Sequence, residues 1–264
     1  MRYRPCRNVI IPTQFGMMMV NRFDYNSEQN FPGVSYHLMN TGLENIDSVP
    51  ILREFLKDKK TPVVIDVGAN IGTFAVQVAK LLEESDGTLY AFEPQRQIFQ
   101  MLNGNLALNS IDNVFTFQFA VGNKTDKITI PKVNYYQPAS FGSISLRDDF
   151  GDIGQELDFG NGEKVPLVTL DTQLMHLENI DVLKIDVEGM EKEVIDGSLN
   201  IIKKHRPLIY LEYIKQPNEG KEISEVLQSM NYLIYKKDIN FLCVPKEKQT
   251  LPEYDFLKDT INYD

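Results

Sequence analysis

Apolar residues in the middle of the chain follow two alternating patterns. Short consecutive apolar runs, typical of buried strands, are separated by segments in which apolar residues recur every three or four positions, typical of helices packed on a sheet. The strand-like runs are residues 62–67, 88–92, 114–121, 180–185 and 208–213, and the helical segments lie at about 71–84, 98–109, 195–205 and 223–230. This alternation predicts an α/β fold whose parallel sheet is covered by helices on both faces.

Elements are also predicted on either side of this alternating region. YLIYKK and NFLCVP, at 232–237 and 240–245, are expected to form a closing hairpin and thus an antiparallel sheet edge. Near the start of the chain, we expect strands near 8–12 and 16–22 and a helix near 47–58.

The predicted organisation has three parts. They are an N-terminal lobe or cap (1–61), a central domain (62–245) and a peripheral C-terminal arm (246–264). Within the central domain, residues 122–170 are rich in Gly, Asp, Asn and Ser, with β-like pieces at KITIP, SISL and VPLVTL. We interpret them as a β-rich insertion after the third strand, and long irregular segments of this kind are usually functional or disordered.

Composition narrows the class of protein. Of 264 residues, 42% are hydrophobic and 24% charged, as in ordinary soluble proteins, and no apolar run is long enough for a transmembrane helix. The net charge of −10 disfavours a nucleic-acid partner, because such partners require a basic surface. Two cysteines, Cys6 and Cys243, are too few for a disulfide scaffold or a closed zinc site. With no secretory signal at the start, we expect free thiols in a cytoplasmic protein.

The stretch VVIDVGANIGTF, residues 63–74, runs from a predicted strand through a glycine turn into a predicted helix. Free backbone N–H groups at such a turn suit a nucleotide-like cofactor. The spacing D-x-G-x-N-x-G differs from the G-x-G-x-x-G of dinucleotide sites, and Asp66 would repel a pyrophosphate. Asp66 is compatible with a cationic ligand such as S-adenosylmethionine, which carries a sulfonium, an ammonium and a ribose diol.

An acidic residue follows the second predicted strand. Glu93, in AFEP, lies 21 residues after Gly72. A carboxylate at this strand end can accept both hydroxyl protons of a ribose. The turn and the glutamate, on consecutive strand ends, therefore indicate a nucleoside cofactor.

These and further motifs resemble the FkbM family of S-adenosylmethionine-dependent methyltransferases. The motifs, in order over about residues 41–235, are VVIDVGANIGTF, YAFEP, NLALN, FAVG, VTLDT, LKIDVEGMEKEVIDG and RPLIYLEY. The resemblance implies a class I Rossmann-like sheet of order 3-2-1-4-5-7-6 with its last strand antiparallel. It also implies methylation of a hydroxyl on a sugar, a glycan or a natural product.

The resemblance further implies cofactor-binding residues. The residues near the methionine end would be Asp66, Gly68, Ala69, Asn70, Gly72 and Thr73. Glu93 and Pro94 would lie near the ribose, and Phe119 and Ala120 near the adenine. A small-molecule or glycan acceptor would complete the site, with the 122–170 insertion on the acceptor side. A homo-oligomer is compatible with the sequence.

Acidic residues at the ends of the fourth and fifth strands are the candidates for catalysis, since ligands of open α/β sheets lie beyond these strand ends. Asp186 and Glu188 follow the fourth strand and Glu212 ends the fifth. In one mechanism, Asp186 or Glu188 is a general base for the acceptor hydroxyl. In the other, Asp186 and Glu212 hold Mg²⁺ or Mn²⁺, which acidifies the acceptor. Lys184, on the same strand face as Asp186, is its expected ion-pair partner.

Outside the strand ends, His37 in the lobe is a further candidate acid or base. Ser140, Ser143 and Ser145 could line the acceptor site, and Tyr135 and Tyr136 could stack on a sugar ring.

Three alternative functions remain at this point. The chain could methylate nitrogen on another small molecule, although it lacks the N/D-P-P-Y/F motif. It could be a catalytically silent S-adenosylmethionine-binding module that serves a structural or partner role. A dinucleotide oxidoreductase is disfavoured by the spacing of the glycine turn.

Overall fold

The described part of the chain begins with a small lobe of two antiparallel strand pairs and two helices. The computed structural model describes residues 5–26, 31–42, 48–146, 153–212, 217–237 and 239–249. The lobe consists of β1 (Asn8–Thr13), β2 (Gly16–Asn21), β3 (Tyr25–Asn26), β4 (Phe31–Pro32), α1 (Val34–Thr41) and α2 (Ser48–Leu56). β1 pairs with β2 and β3 with β4. The strands and the helix predicted for the lobe are present.

Strands and helices alternate through most of the rest of the chain. They are β5 (Val63–Val67), α3 (Thr73–Leu82), β6 (Thr88–Phe92), α4 (Arg96–Leu108), β7 (Val114–Phe117), β8 (Ala120–Val121), β9 (Asp126–Lys132), β10 (Asp158–Val168), α5 (Leu170–Leu174), β11 (Val182–Ile185), α6 (Glu191–Asp196), α7 (Leu199–His205), β12 (Leu208–Glu212), α8 (Pro217–Ser229), β13 (Tyr232–Lys237) and β14 (Asn240–Pro245). Short 3₁₀ helices occupy Glu83–Ser85, Phe141–Ser143 and Lys246–Lys248.

A seven-stranded sheet has the order β13-β14-β12-β11-β5-β6-β7. β14 is antiparallel to both of its neighbours, and the remaining pairs are parallel. Numbered along this sheet's own strands, the order is 3-2-1-4-5-7-6 with the seventh strand antiparallel. The predicted sheet order and the predicted closing hairpin are therefore confirmed.

The sheet has a hydrophobic layer on each face. Val64 and Val182 point into one layer, and their neighbours Ile65 and Leu183 point into the other; all four are fully buried. Because successive strand residues point to opposite faces, a strand covered on both faces needs consecutive apolar residues. That requirement explains the uninterrupted apolar runs seen in the sequence. The first layer also includes buried residues of the lobe, such as Met18 and Leu52.

The insertion contains a second sheet, of order β8-β10-β9. β8 lies parallel to β10 and β9 antiparallel to it. The predicted single strand at 114–121 is wrong, because the chain leaves the large sheet after Phe117 and residues 120–121 join the small one. The β-rich insertion is confirmed, but the predicted strand in SISL (143–146) is absent, because Ser143 ends the 3₁₀ helix Phe141–Ser143 and residues 144–146 form no regular element.

One helix prediction also needs correction. The segment 195–205 is not one helix, because α6 and α7 are separated at Gly197–Ser198. There the chain passes so close to the insertion that a Cβ on Gly197 would overlap the Gly122 carbonyl oxygen. Just before α6, Glu188 and Gly189 both have positive φ angles, and the helix begins at Glu191.

Within the described ranges, no helix is long and apolar enough to cross a membrane. The predicted C-terminal arm is described only as far as residue 249, and Tyr213 also lies outside the described residues. The domain boundaries at 61/62 and 245/246 stay predictions.

The buried central strand β11 should be a main source of stability. We expect Leu183→Ala, at a fully buried position, to lower the free energy of unfolding by about 2–5 kcal/mol, because it removes buried contacts and leaves a cavity. Urea denaturation followed by circular dichroism measures the change. Leu108→Ala on the 39% exposed position of α4 is the matched control and should change it by less than about 0.5 kcal/mol. Equal losses in the two variants would contradict the assignment of β11 to the core.

Candidate active site

The turn between β5 and α3 has left-handed backbone at three of its five residues. Gly68, Asn70 and Gly72 have φ angles of 82°, 50° and 90°. A Cβ on Gly68 would overlap the carbonyl oxygen of Asp186, so this position requires glycine for space as well as for conformation. A left-handed conformation costs asparagine less than most other residues with a side chain, and the Asn70 side-chain oxygen accepts the Ile71 N–H at 2.8 Å. The motif spacing is therefore explained by backbone geometry.

Glu93, immediately after β6, is bonded into this turn. Glu93 is 4% exposed, and its carboxylate accepts the Asn70 N–H at 3.0 Å and the Gln95 N–H at 2.8 Å. Burial raises the pKa of Glu93 to about 7, a larger effect than the lowering by the two hydrogen bonds. Each carboxylate oxygen keeps a further acceptor position. Ionised Glu93 can therefore accept two hydroxyl protons from a diol.

Lys184 joins the turn to the end of the fourth sheet strand. Its ammonium lies 3.1 Å from Asp66 Oδ1 and 3.4 Å from Asp186 Oδ2, and it donates to the Gly68 carbonyl at 3.1 Å. Burial alone would lower the pKa of Lys184, but Asp66 and Asp186 together raise it. The predicted pairing of Lys184 with Asp186 is present. Asp66 is fully buried, and it is linked to the turn through Lys184, which contacts both Asp66 and the Gly68 carbonyl.

Carboxylates crowd the ends of β11 and β12. Burial, followed by repulsion from Asp186 and Glu188, raises the pKa of Glu212 to about 8. Burial also raises the pKa of Glu191, whose side chain accepts the Gly189 N–H at 3.0 Å. Because nearby carboxylates repel one another, Glu212 binds a proton more readily than an isolated glutamate does. Glu212 is therefore a candidate base whose pKa is close to neutral pH.

The structure does not support the predicted Mg²⁺ or Mn²⁺ site. Among the residues that the structure describes, no group of three or more His, Cys, Asp or Glu side chains is placed to hold a metal ion. At the predicted ligands Asp186 and Glu212, the Lys184 ammonium already supplies a positive charge 3.4 Å from Asp186. These residues fit proton transfer better than metal binding.

The insertion reaches over the turn through the segment 139–145. The Phe141 carbonyl accepts a hydrogen bond from Gln95 Nε2 at 3.0 Å, and a Cβ on Gly142 would come within 2.6 Å of Asn70 Nδ2. At its far end, Ser145 Oγ would lie 3.5 Å from a Cβ on Gly189. The segment therefore extends from the glycine turn to the residues that follow β11.

The three serines of this segment differ in exposure. Ser140 and Ser145 are buried, whereas Ser143 is half-buried. Because it is the most exposed of the three, Ser143 is the best placed to meet an acceptor. Its hydroxyl lies 2.9 Å from that of Ser140.

The two predicted stacking tyrosines both lie beside Arg7. The guanidinium of Arg7 lies 5.4 Å from the ring centre of Tyr135 and 5.0 Å from that of Tyr136. One face of each tyrosine is therefore already covered.

The other predicted site residues occupy varied positions. Ala69, Thr73 and Ala120 are buried, and Pro94 is half-buried beside Glu93. Phe119 is half-buried in the row of rings that follows β7, with its ring centre 5.9 Å from that of Phe117. His37 is exposed on α1, which packs mainly on β2, β3 and β4. Its role as an acid or base stays a prediction.

Three polar residues around the site were missed in the sequence. Gln95 and Asn105 are buried and bonded to the insertion and to the turn, respectively. Buried Asp24 in the lobe accepts the N–H groups of Ser35 and Phe141, both at 2.9 Å. Burial raises the pKa of Asp24. The NLALN motif was a signal for Asn105, whereas the sequence around Asp24 contains none.

A sheet ordered 3-2-1-4-5-7-6, a glycine turn after its first strand and a buried acid after its second together define a class I Rossmann-like methyltransferase domain. Within this class, the chain belongs to the FkbM family, because the model of the methyltransferase FkbM domain matches residues 66–236. The predicted family is confirmed by this membership.

Two proteins that resemble this chain in sequence are named as methyltransferases. Methyltransferase sdnD of Sordaria araneosa is 27% identical over 160 residues, which are 52% of this chain and 60% of that protein. The 2-O-methyltransferase NoeI of Sinorhizobium fredii is 28% identical over 167 residues, 61% of this chain and 67% of NoeI. The crystal structure of methyltransferase FkbM from Methylobacillus flagellatus KT superposes with a TM-score of 0.48 and 15% identity, over 70% of this chain and 42% of that one. The chain thus spans about 60% of the Sordaria protein.

Removal of the Lys184 charge should be costly. We expect Lys184→Met to lower the free energy of unfolding by about 3–5 kcal/mol at pH 8, because Asp66 is left buried without its cation. The loss should shrink towards pH 5, since Asp66 can then take up a proton and become neutral. Chemical denaturation at both pH values measures this.

The control for this prediction is Lys192→Met. Lys192 and Asp196 form a 2.6 Å pair one helical turn apart, with side chains 21% and 31% exposed. Such a pair should contribute less than about 1 kcal/mol. A Lys184→Met loss no larger than that of the control, or one that grows at low pH, would contradict the proposed charge balance.

Proposed function

We propose that the protein is an S-adenosylmethionine-dependent O-methyltransferase that acts on a hydroxyl of a sugar, a glycan or a related polyol. The observation that carries the proposal is a pair of desolvated acids at the carboxyl ends of β6 and β12, on the same edge of the sheet with β5 and β11 between them. Glu93 is bonded to the glycine turn, and Glu212 has its pKa raised to about 8. The first suits a ribose diol and the second a hydroxyl proton.

The residues of the turn fit a cationic nucleoside. Asp66, Glu93 and Asp186 surround the turn with negative charge that Lys184 only partly balances. A pyrophosphate would be repelled there, whereas a sulfonium and an ammonium would be attracted. Glu93 would hold the ribose, and Gly68 and Asn70 would border the methionine end. When bound, S-adenosylmethionine supplies an electrophilic methyl group, and the electrons of the broken C–S bond stay on sulfur.

Glu212 is proposed as the general base. Ionised Glu212 would take the proton of the acceptor hydroxyl while the oxygen gains its methyl group. Asp186 is less suited to this role because its carboxylate is already paired with the Lys184 ammonium at 3.4 Å. Asp186, 32% exposed at its side chain, and Glu188 would instead orient acceptor hydroxyls. Alignment of acceptor and methyl group contributes much of the catalysis in such transfers.

A relative supports the choice of oxygen as the accepting atom. The name of NoeI assigns it 2-O-methyl transfer, and the match extends over 61% of this chain. The half-buried Ser143 in the segment 139–145 adds a hydroxyl that can bond to a polyol. The acidic character of the strand ends also suits donors such as sugar hydroxyls.

Cofactor binding should depend on the ionisation of Glu93. We expect the affinity for 5′-methylthioadenosine, a nucleoside without a titrating amino-acid end, to rise between about pH 6 and pH 8. In this range Glu93, with its pKa near 7, loses its proton and becomes able to accept both ribose hydroxyls. Glu93→Gln should bind about tenfold or more weakly, with little pH dependence. Isothermal titration calorimetry measures both.

NAD is the control ligand and should produce no binding heat. Binding of the nucleoside that is independent of pH and of Glu93→Gln would refute the assignment of the ribose site. Absence of binding by S-adenosylhomocysteine to folded wild-type protein would refute the cofactor itself.

Methyl transfer should depend on ionised Glu212. With a panel of monosaccharides and methyl glycosides as acceptors, we expect the rate to rise with pH up to about 8, because the base must be deprotonated. Glu212→Gln should lower kcat by about 10²–10⁴-fold and leave S-adenosylhomocysteine binding nearly unchanged. Transfer of radiolabelled methyl groups measures the rate.

Asp186→Asn is the matched comparison at the neighbouring strand end. If it abolishes transfer while Glu212→Gln does not, Asp186 is the base. Protein that binds S-adenosylhomocysteine but methylates none of these acceptors would favour the silent binding module.

A further inference from the structure

Two asparagines of the NLALN motif face the lobe from one side of α4. Asn105 lies in the last turn of α4 and Asn109 caps the helix four residues later, so both lie on the same side of its C-terminal end. Both bond to the backbone of β2, at Met19 and Met17 respectively. Neither residue takes part in the proposed methyl transfer, and their contacts indicate a structural link between α4 and the lobe.

The asparagine side chains act as a neighbouring strand would. Asn105 Oδ1 accepts the Met19 N–H at 2.5 Å, and its Nδ2 donates to the Met19 carbonyl at 3.1 Å. Asn109 does the same at Met17, with distances of 3.2 and 2.7 Å. Because β1 pairs with the other edge of β2, these amides satisfy the edge that faces α4. Together they fasten the lobe to the central domain.

The two asparagines differ in their third hydrogen bond. Asn105 Nδ2 also donates to the Ile71 carbonyl at 2.7 Å, within the glycine turn. Asn109 Nδ2 instead donates to the Asn105 carbonyl at 2.8 Å, inside its own helix. Asn105 is fully buried and uses its acceptor oxygen and both amide protons, and these partners fix its orientation. Of the pair, Asn105 therefore contacts both the lobe and the turn.

Ile71 is a sensitive place in the turn. It lies between two residues with positive φ, Asn70 and Gly72. Its N–H is held by Asn70 Oδ1 at 2.8 Å and its carbonyl by Asn105. The Asn70 N–H, in turn, bonds to Glu93. A shift at Ile71 would thus move the Asn70 N–H, which orients the Glu93 carboxylate.

We propose that Asn105 is a positioning residue that couples the N-terminal lobe to the cofactor turn. A lobe in place holds Ile71, and through Asn70 it holds Glu93, in the geometry that binds the nucleoside. Conversely, a bound cofactor stabilises the attachment of β2. The proposal rests on the proposed function, because the ligand that it concerns is the cofactor.

The test compares Asn105→Ala with Asn109→Ala. Calorimetry with S-adenosylhomocysteine should show about tenfold weaker binding for Asn105→Ala, as expected for one lost buried hydrogen bond at the turn. Asn109→Ala should bind within about twofold of the wild type. Hydrogen exchange followed by mass spectrometry should show that S-adenosylhomocysteine slows exchange in a peptide covering 16–21. This protection should persist in Asn109→Ala and be lost in Asn105→Ala.

The outcomes separate the proposals. If the wild type binds S-adenosylhomocysteine and the two variants bind with equal affinity, the coupling by Asn105 is wrong and the proposed function stands. If the folded wild type does not bind it, the proposed function fails first. Should Asn105→Ala fail to fold, Asn105→Asp replaces it, since the carboxylate keeps the acceptor for the Met19 N–H and loses the donors to the Met19 and Ile71 carbonyls. Wild-type affinity in that variant would overturn the proposal.

Discussion

The buried ammonium of Lys184 is the interaction on which the site depends. It lies against Asp66 at the end of one strand, the Gly68 carbonyl in the turn and Asp186 after the neighbouring strand. Lys184 and Asp66 are paired across the parallel ladder, so sheet register alone brings them together. Because charges are expensive to bury unpaired, the turn and both strand ends must keep their relative positions for the cluster to remain satisfied.

A second set of contacts assembles the site from segments far apart in sequence. Gln95 follows Glu93 and bonds to the Phe141 carbonyl, while the Phe141 N–H bonds to Asp24 of the lobe. Asn105 makes the corresponding link between the lobe and the other side of the turn. The lobe and the insertion are therefore parts of the site's wall, and their hydrogen bonds satisfy polar groups that burial would otherwise penalise.

The errors of sequence interpretation share a cause. The run at 114–121 is apolar throughout, but periodicity cannot show that its end pairs with β10 in a different sheet. SISL alternates as a strand would, yet its first residue, Ser143, ends the 3₁₀ helix, in which Phe141 donates its N–H to the Asp24 carboxylate of the lobe. In both cases a long-range partner decided the local structure.

By itself, the sequence determined the α/β class, the sheet order through its family motifs, the glycine turn and the acids at the strand ends. These follow from local patterns, because strand and helix periods and left-handed turns are recorded in neighbouring residues. Only the tertiary structure decided which acids are buried, and hence that the pKa of Glu93 rises to about 7 and that of Glu212 to about 8. It also decided which lobe and insertion residues reach the turn. Desolvation and charge proximity depend on three-dimensional distances, which no single sequence states.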